Sequence, residues 1–274
     1  MNDLQRTLLE MAASFHQFCI DNDLTYFVIE GTMLGMARHS GFIPWDDDID
    51  IGMPRKDYNK LSSLLKDRTL GKYVFECAQS RDDSYCYPYG KLYDTTTTMI
   101  ESIRQELVRG VYLDIFPIDG IGKSVQETKK NFRRINFYNR ILVLKRLKIE
   151  SERKWYKNLL VAILKVPLFK RLNAKNLSIK VNELCQLFNL EDSKYGGNLL
   201  SAWGMNAIMP VSIIETPKLY KFENIELYGI SNFDEYLSHL YGDWRKLPPE
   251  NERVSHHDYY LDLKKPYKEY RSEQ

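Results

Sequence analysis

The spacing of apolar residues predicts a helix at the start of the chain. Apolar side chains recur there at three- and four-residue steps: Leu4, Leu8, Met11, Ala12, Phe15, Phe18 and Cys19. This period places them on one face of a helix, which Asn22-Asp23 ends. The aromatic and β-branched run 26–29 then predicts a short strand. Thr32 is the predicted N-cap of a short helix over 33–38.

The rest of the pattern predicts a mixed fold. Residues 56–65 have helical spacing, and strands are expected at 74–77, 90–93, 96–100 and 111–116. Residues 124–188 are mostly helical in character because they contain few glycines and turn residues. We therefore expect an α/β (α+β) protein with a small mixed β-sheet flanked by helices.

Charge is unevenly distributed along the chain. The 274 residues carry a formal net charge of only +2, yet residues 123–180 hold 17 Lys and Arg against 3 Asp and Glu. The remaining residues are net acidic. We divide the chain into a catalytic core over 1–122, a basic and mainly helical insertion over 123–195, and a C-terminal segment over 196–274 that packs on the core.

Composition restricts where the protein acts. The first 18 residues lack a basic segment followed by an apolar stretch, so we expect no secretory signal peptide. No run of about 18 uncharged apolar residues occurs, which argues against a spanning helix. The four cysteines, Cys19, Cys77, Cys86 and Cys185, lack C-x-x-C spacing, so reduced thiols are the simplest interpretation. We expect a cytoplasmic protein.

The strongest chemical signal is a run of acidic residues. Asp46, Asp47, Asp48 and Asp50 place four carboxylates within five residues, where they repel one another unless a cation or strong donors lie among them. If the segment is extended, Asp46, Asp48 and Asp50 point the same way. Such carboxylates suit Mg²⁺, which binds them together with water and phosphate oxygens.

Two other interpretations of this run exist. A solvated acidic turn is the simpler alternative, although Ile49 and Ile51 alternate with the acids as on a half-buried strand. An EF-hand calcium loop is set aside, because its glycine position is occupied by Ile51 and its final glutamate position by Asp57.

Another carboxylate, Asp114, lies alone in the apolar run 111–116. Burying a carboxylate without a partner is costly, so Asp114 is a candidate metal ligand; the alternative is a structural acid bonded to backbone groups. Asp119 lies beside Gly120 and is predicted to be a turn residue. Upstream, Gly31-Thr32 at a helix N-terminus would expose backbone N–H groups that suit a phosphate.

Three blocks of sequence, in order along the chain, carry a family resemblance. The first, over 30–52, is EGTMLGMARHSGFIPWDDDIDIG, and the second, over 113–120, is LDIFPIDG. The third contains Tyr241-Gly242-Asp243-Trp244, followed by Pro248 and His256. Together they resemble the LicD family of the nucleotidyltransferase-fold superfamily. The match covers most of the chain, with 123–200 least constrained, and is more specific for family than for substrate.

The resemblance implies a nucleotidyltransferase-like core with the Gly-Thr turn opposite the acidic strand. In the superfamily pattern an Asp-x-Asp pair and a later strand acid hold the metals. On this chain these are Asp48, Asp50 and Asp114, which would be both metal ligands and catalytic residues. Asp46 and Asp47 would be supporting residues. The implied cofactor is Mg²⁺, or Mn²⁺ in its place, as two ions.

The resemblance also implies a reaction. Family members are associated with transferring phosphocholine from CDP-choline to teichoic acid or lipopolysaccharide sugars, and more distant fukutin-type relatives transfer ribitol phosphate from CDP-ribitol. We expect a Mg²⁺-dependent phosphotransferase that moves phosphocholine from CDP-choline to a cell-surface glycan, such as a teichoic acid, lipopolysaccharide or capsule precursor, and releases CMP. The same chemistry with CDP-ribitol or CDP-glycerol is the alternative.

Several residues receive roles from this comparison. Gly31, Thr32 and Arg38 would hold the donor phosphates, although Arg38 is equally compatible with a plain surface position. His256 would support the site as a phosphate donor or proton carrier, and a surface histidine is the alternative. Trp244 is predicted to belong to the core rather than to stack on a ligand. An aromatic cage for a quaternary ammonium group is not decided by the sequence.

The basic middle of the chain has two interpretations. One is a helical insertion that packs on the core with a solvated basic face. The other, which we favour, is peripheral contact with the anionic inner face of the membrane, where a lipid-linked glycan would be presented. Nucleic-acid binding is not expected, because no recognised module accompanies the charges.

Two other functional classes remain open from the sequence. A metal-dependent glycosyltransferase with a nucleotide-sugar donor also uses an Asp-x-Asp pair, but its nucleotide-binding region is normally longer before that pair. A catalytically silent binding module is the other alternative. All three candidate metal acids are present, so nothing in the sequence supports loss of activity.

Overall fold

A computed structural model describes residues 1–101, 107–147, 173–255 and 259–272, together with Trp155, Asn158, Leu159 and Ala162. The helices of this part are α1 (Asp3–Asp21), α2 (Glu30–His39), α3 (Arg55–Leu64), α4 (Val125–Arg146), α5 (Ala174–Cys185), α6 (Val211–Ile214), α7 (Phe233–Tyr241) and α8 (Tyr267–Ser272). The strands are β1 (Phe27–Val28), β2 (Asp50–Pro54), β3 (Thr69–Leu70), β4 (Tyr73–Glu76), β5 (Gly90–Asp94), β6 (Thr98–Glu101), β7 (Tyr112–Gly122), β8 (Tyr195–Gly197), β9 (Ile208–Pro210), β10 (Pro217–Phe222), β11 (Ile225–Ile230) and β12 (Tyr259–Asp262).

Ten of these strands form one mixed sheet. Its main path has the order β10-β11-β1-β2-β7-β5-β4-β3, and β8 and β9 extend it from the far end of β7. The pairs β1–β11 and β2–β7 are parallel, and the other pairs are antiparallel. Strands β6 and β12 form a separate two-stranded sheet. The expected α+β fold with a mixed sheet flanked by helices is confirmed.

The first helix is confirmed, and its start is fixed by a capping box. The Asn2 side chain accepts from the backbone N–H of Gln5, and the Gln5 side chain accepts in return from the N–H of Asn2. Leu8, Met11 and Phe15 lie on its buried face. The apolar period along this segment therefore predicted both the helix and the face that packs on the sheet.

Two local predictions about the next segment are wrong. Helix α2 begins at Glu30 with Ile29 at the cap position, so Thr32 lies inside its first turn. Its hydroxyl accepts the backbone N–H of Asp50 at 2.8 Å instead of capping the helix. Residues 46–49 are not a strand, since β2 begins only at Asp50. The predicted alternation of Asp46, Asp48 and Asp50 on one strand face therefore fails.

The hydrophobic core has two parts. The larger cluster lies between the main sheet and helices α1, α2, α3 and α7. The smaller cluster joins α4 to α5 through Ile135, Leu142 and Val181, and Ile121 at the end of β7 contributes to it. The described part of the basic insertion is thus a packed helical layer.

The C-terminal segment adds to the same sheet as the first third of the chain. Strand β11 pairs with β1, and β8 pairs with the C-terminal half of β7. The division into three regions stays a prediction. Searching the described residues yields no helix that is both long and apolar enough to cross a membrane.

Candidate active site

Three adjacent strands place two acids and a lysine in one row. In the parallel pairing of β2 with β7, Asp50 lies opposite Asp114. In the antiparallel pairing of β7 with β5, Asp114 lies opposite Lys91. Residues in register on neighbouring strands project from the same face of a sheet. The expected closeness of Asp50 and Asp114 is therefore a property of the sheet register.

Asp50 lies in an acidic and desolvated environment. Burial raises its pKa well above the usual value, and the nearby charges of Asp48, Glu30, Asp114 and Asp46 raise it further. Four other carboxylates thus act on this one side chain. A divalent cation would relieve this repulsion, because carboxylate oxygens are the ligands that Mg²⁺ prefers.

Glu30 is a site residue that the sequence prediction missed. Its side chain is buried, and burial raises its pKa, with Asp48 and Asp114 adding to the shift and hydrogen bonds from Ser201 and Asn198 opposing it. Asn198 donates to Glu30 Oε1 at 2.8 Å. The backbone of Glu30 has φ of 47°, in the left-handed region that non-glycine residues rarely adopt. Such conformations cluster at functional sites.

The loop before β2 holds a second acidic group. Asp46, Asp47 and Asp48 each offer an oxygen, and these oxygens lie within 4.8 Å of one another. Gln5 of α1 fixes this loop, because its Nε2 donates to the backbone carbonyl of Asp46 at 2.9 Å. Ser255 donates to the Asp47 carboxylate. The closest acidic set therefore differs from the predicted trio of Asp48, Asp50 and Asp114, whose role as metal ligands stays a prediction.

The N-terminal turn of α2 lies against this acidic loop. A Cβ atom added to Gly31 would lie 3.5 Å from Asp46 Oδ2, so the glycine leaves the backbone close to the carboxylate. The first N–H groups of a helix have no intrahelical acceptor and carry a positive partial charge. Gly31 and Thr32 thus lie beside the acidic loop, and their contact with a phosphate stays a prediction.

Arg38 lies away from this turn. Its Nη2 donates to the backbone carbonyls of Trp244 and Lys246, at the opposite end of α2 from Gly31. About 11 Å of helix separates residues seven positions apart. Arg38 thus holds the C-terminal segment, and it also lines the groove that contains Trp45 and Tyr241. Its contact with a donor phosphate stays a prediction. His256 lies outside the described residues.

Lys91 makes a buried ion pair with the third acid. Its Nζ lies 2.8 Å from Asp114 Oδ1, and its side chain is 1% exposed. The ammonium also lies 3.2 Å from the centroid of the Tyr112 ring and 4.6 Å from that of Tyr87. A lysine is this deeply buried only when it is paired. Asp114 is therefore held by a side chain that the sequence prediction did not consider.

The prediction that Asp119 is a turn residue is wrong. It lies inside β7, is 1% exposed, and binds the Arg55 guanidinium through two hydrogen bonds of 2.7 and 2.5 Å. Burial raises the pKa of Asp119, and Arg55 lowers it. Gly120 suggested a turn, but this glycine allows close packing, since an added Cβ would lie 2.4 Å from the Asn189 carbonyl oxygen.

An aromatic groove opens beside the acids. Its volume is about 490 Å³, and its lining includes Trp45, Trp203, Tyr241 and Asp243. The rings of Trp203 and Tyr241 meet edge to face, with centroids 4.7 Å apart. Burial raises the pKa of the Tyr241 phenol, with Tyr236, Glu30, Asp50 and Asp46 adding to the shift. The groove adjoins the acidic loop, because its lining residue Trp45 directly precedes Asp46. Trp244 is buried, as predicted, and donates to Asp234.

Two of the missed residues had a sequence signal. Glu30 ends the predicted strand and precedes Gly31, and Lys91 is a lone charge in a run predicted to be a strand. A charge in a buried strand needs a partner. The partner of Lys91 follows from the pairing of β5 with β7, which periodicity alone does not give.

Comparisons with known proteins identify relatives of this chain. Residues 23–143 match the family model of the LicD/FKTN/FKRP nucleotidyltransferase domain. Over 263 residues the chain is 28% identical to the lipopolysaccharide cholinephosphotransferase LicD of Haemophilus influenzae, covering 94% of this chain and 96% of that protein. An uncharacterized protein of Rickettsia prowazekii is 37% identical over 59 residues, 22% of either chain. The matched domain contains every acid of the site.

Proposed function

We propose that this chain, whose residues 23–143 match the model of the LicD/FKTN/FKRP nucleotidyltransferase domain, is a LicD-type phosphotransferase acting on a cell-surface glycan. The donor is CDP-choline and the products are the phosphocholine-bearing glycan and CMP. The observation that carries the proposal is the group of carboxylates that surrounds Asp50 within that domain.

The reaction is a transfer at phosphorus. An acceptor hydroxyl oxygen forms a bond to the phosphorus that bears choline, and the bond from that phosphorus to the oxygen of CMP breaks. A carboxylate of the protein accepts the hydroxyl proton, and CMP departs as an anion. We assign proton acceptance to Asp114, which lies opposite Asp50 in the pairing of β7 with β2.

The residues present fit a divalent cation. Clustered acids with raised pKa values are disfavoured in their ionised form unless positive charge is added. We propose that Asp48, Asp50 and Asp114 hold Mg²⁺, with Asp46 and Asp47 in support. When bound, the metal supplies charge neutralisation to the phosphates.

The chain's own groups position the donor and the acids. The N-terminal amides of α2 at Gly31 and Thr32 bind the donor phosphates. The Thr32 hydroxyl fixes the start of β2 by accepting the Asp50 N–H. Lys91 keeps Asp114 oriented across the strand pair. Charge and orientation are therefore set before the donor arrives, and such preorganisation lowers the cost of reaching the transition state.

The aromatic groove favours choline over a polyol as the donor alcohol. Quaternary ammonium groups bind between aromatic faces through cation–π attraction, and Trp45, Trp203 and Tyr241 supply such faces beside the acids. Formal charge does not decide this preference, because the lining contains Arg38 and Lys246 as well as Asp243 and Glu252. Ribitol or glycerol instead needs several hydrogen-bond partners, because their hydroxyls are costly to bury unpaired.

Peripheral membrane contact is a further part of the proposal. Helix α4 exposes Lys130, Arg133, Arg134 and Arg140 around Phe137, whose side chain is 61% exposed. A basic face with an exposed aromatic residue suits the surface of an anionic bilayer, where a lipid-linked acceptor would be presented. Sedimentation with phosphatidylglycerol vesicles that weakens as salt rises is expected. Binding that is independent of salt and of anionic lipid would refute this part.

The main experiment measures CMP release and thermal stabilisation with five nucleotides: CDP-choline, CDP-ribitol, CDP-glycerol, CTP and UDP-glucose, each with and without Mg²⁺. Mg²⁺-enhanced stabilisation by CDP-choline is expected. Stabilisation by UDP-glucose alone would indicate a glycosyltransferase and overturn the proposal.

The donor alcohol is tested by Trp203→Leu. We expect this variant to weaken CDP-choline binding roughly tenfold and to leave CDP-glycerol binding unchanged. Trp155→Leu is the matched control, because Trp155 is 76% exposed and does not line the groove. If Trp203→Leu weakens the binding of CDP-choline and CDP-glycerol equally, the groove does not distinguish the donor alcohols.

A further inference from the structure

A second cavity, of about 250 Å³, lies between the C-terminal end of α4 and the N-terminal end of α5. We propose that it binds the phosphate group of a phosphate ester, at a site separate from the acidic site. The residues that would hold the phosphate are Arg146, Lys175 and the first amides of α5. This inference does not depend on the proposed transferase activity.

The arginine is the first observation. Arg146 lines the cavity and is 8% exposed, and its guanidinium carbon lies 3.5 Å from the centroid of the Tyr87 ring. Its Nη2 is buried and has no hydrogen-bond partner among the residues that the structure describes. A buried donor without an acceptor is costly. An anion with several acceptor oxygens would remove that cost, and phosphate matches the planar fork of a guanidinium.

The helix start is the second, independent observation. Helix α5 has 12 residues, and Asn173 caps it by accepting the N–H of Asn176 at 2.6 Å. The N–H groups of Ala174 and Lys175 precede that bond and have no acceptor within the helix. Both residues line the cavity. The N-terminal end of a helix of this length carries positive partial charge that favours an anion.

The ammonium group of Lys175 supplies the second positive side chain of the cavity. Lys175 is 8% exposed, and its Nζ donates to the carbonyls of Ser80 and Asp82 at 2.6 and 3.2 Å. The ammonium is therefore held at the cavity wall and keeps a third N–H. One carboxylate, exposed Asp83, also lines the cavity. Among the described lining residues, two cationic side chains and one helix N-terminus stand against one carboxylate. This small excess of positive charge favours a single phosphate group rather than a polyphosphate.

The cavity is distinct from the acidic site but adjoins it. Tyr87 contacts Arg146 at the cavity, and the same ring lies 4.6 Å from the ammonium of Lys91, which pairs with Asp114. The acidic site repels phosphate when metal is absent, whereas the Arg146 cavity does not. Chelation of metal ions therefore separates binding at the two places.

The test is calorimetric titration of the full chain with inorganic phosphate in EDTA. The unaltered protein and Arg68→Gln, an exposed arginine outside both the cavity and helix α4, are expected to bind equally. Arg146→Gln is expected to lower the affinity roughly tenfold or more, and Arg146→Lys to lower it less. Unchanged affinity in Arg146→Gln, or no binding by the unaltered protein, overturns the proposal. If Arg146→Gln does not fold, Lys175→Met gives the same comparison.

Two further arms identify the source of the phosphate. Displacement of inorganic phosphate by glycerol 3-phosphate, lost in Arg146→Gln, supports a soluble ester. Sedimentation with phosphatidic acid vesicles that is weaker in Arg146→Gln than in Arg68→Gln supports a lipid headgroup. If glycerol 3-phosphate does not displace phosphate and vesicle sedimentation does not depend on Arg146, the cavity binds only free phosphate. That outcome would overturn the assignment of an ester.

Discussion

Strand β7 carries Asp114 near its start and Asp119 five residues later. Asp119 is enclosed, with both carboxylate oxygens bonded to Arg55. Asp114 has one lysine on β5 and acids on its other side, where β2 begins. The two side chains also project from opposite faces, because faces alternate along a strand. A carboxylate with a complete set of partners stabilises the fold, whereas one among other acids is available for a metal and a substrate.

The largest expected effect concerns the region of Asp114. Asp50→Asn is expected to lower the turnover rate roughly a thousandfold, about 4 kcal/mol, because a charge needed for the metal is removed. The fold should stay intact, since the substitution relieves repulsion among Asp50 and its acidic neighbours. CMP release and circular dichroism measure the two quantities. Asp67→Asn, at an exposed acid, is the control, and turnover retained by Asp50→Asn would refute the site.

The region of Asp119 is expected to respond in stability instead. Arg55→Met leaves a buried carboxylate without its partner, which costs roughly 3 kcal/mol or more in the free energy of unfolding. Urea denaturation measures this, and CMP release per folded molecule should change little. The double variant Arg55→Met/Asp119→Asn should recover part of the loss. If Arg55→Met lowered the turnover rate as much as Asp50→Asn does, the region of Asp119 could not be assigned to stability alone.

An intermediate effect is expected from pH in EDTA. Asp50 and Glu30 have raised pKa values because of burial and neighbouring acids, so their ionised forms destabilise the folded state. Their contribution to stability is present below the unfolded pKa of about 4 and is lost as pH rises through the raised folded values. The thermal midpoint should fall over that range, by about 2–4 °C for each kcal/mol. Mg²⁺ should restore it, and Asp50→Asn should flatten the dependence.

The smallest effect is expected where an ion pair is exposed. Arg81 and Asp67 lie 3.1 Å apart with side chains 82% and 56% exposed. Arg81→Gln should change the free energy of unfolding by less than about 0.5 kcal/mol, because solvent screens such pairs. Urea denaturation is again the measurement. A change as large as that of Arg55→Met would show that the contribution of these ion pairs to stability does not depend on their burial.

Much of the fold followed from local patterns. The face of α1 and the positions of β4, β5 and β6 followed from apolar spacing within a few residues. The start of α2 did not, because Thr32 bonds to Asp50, 18 positions away, rather than to its own helix. Asp119 was misjudged for a related reason, since its partner Arg55 is 64 positions away.

The chain by itself determined the acidic run, the lone acid in β7, the basic middle and the family resemblance, because each depends only on residue type and order. The tertiary structure alone decided which charges meet. Strand register set Lys91 beside Asp114 and Asp50 beside both, and helix packing enclosed Arg146 against Tyr87. A partner across a sheet or between helices depends on pairing and packing between distant segments, and local periodicity carries no information on that pairing.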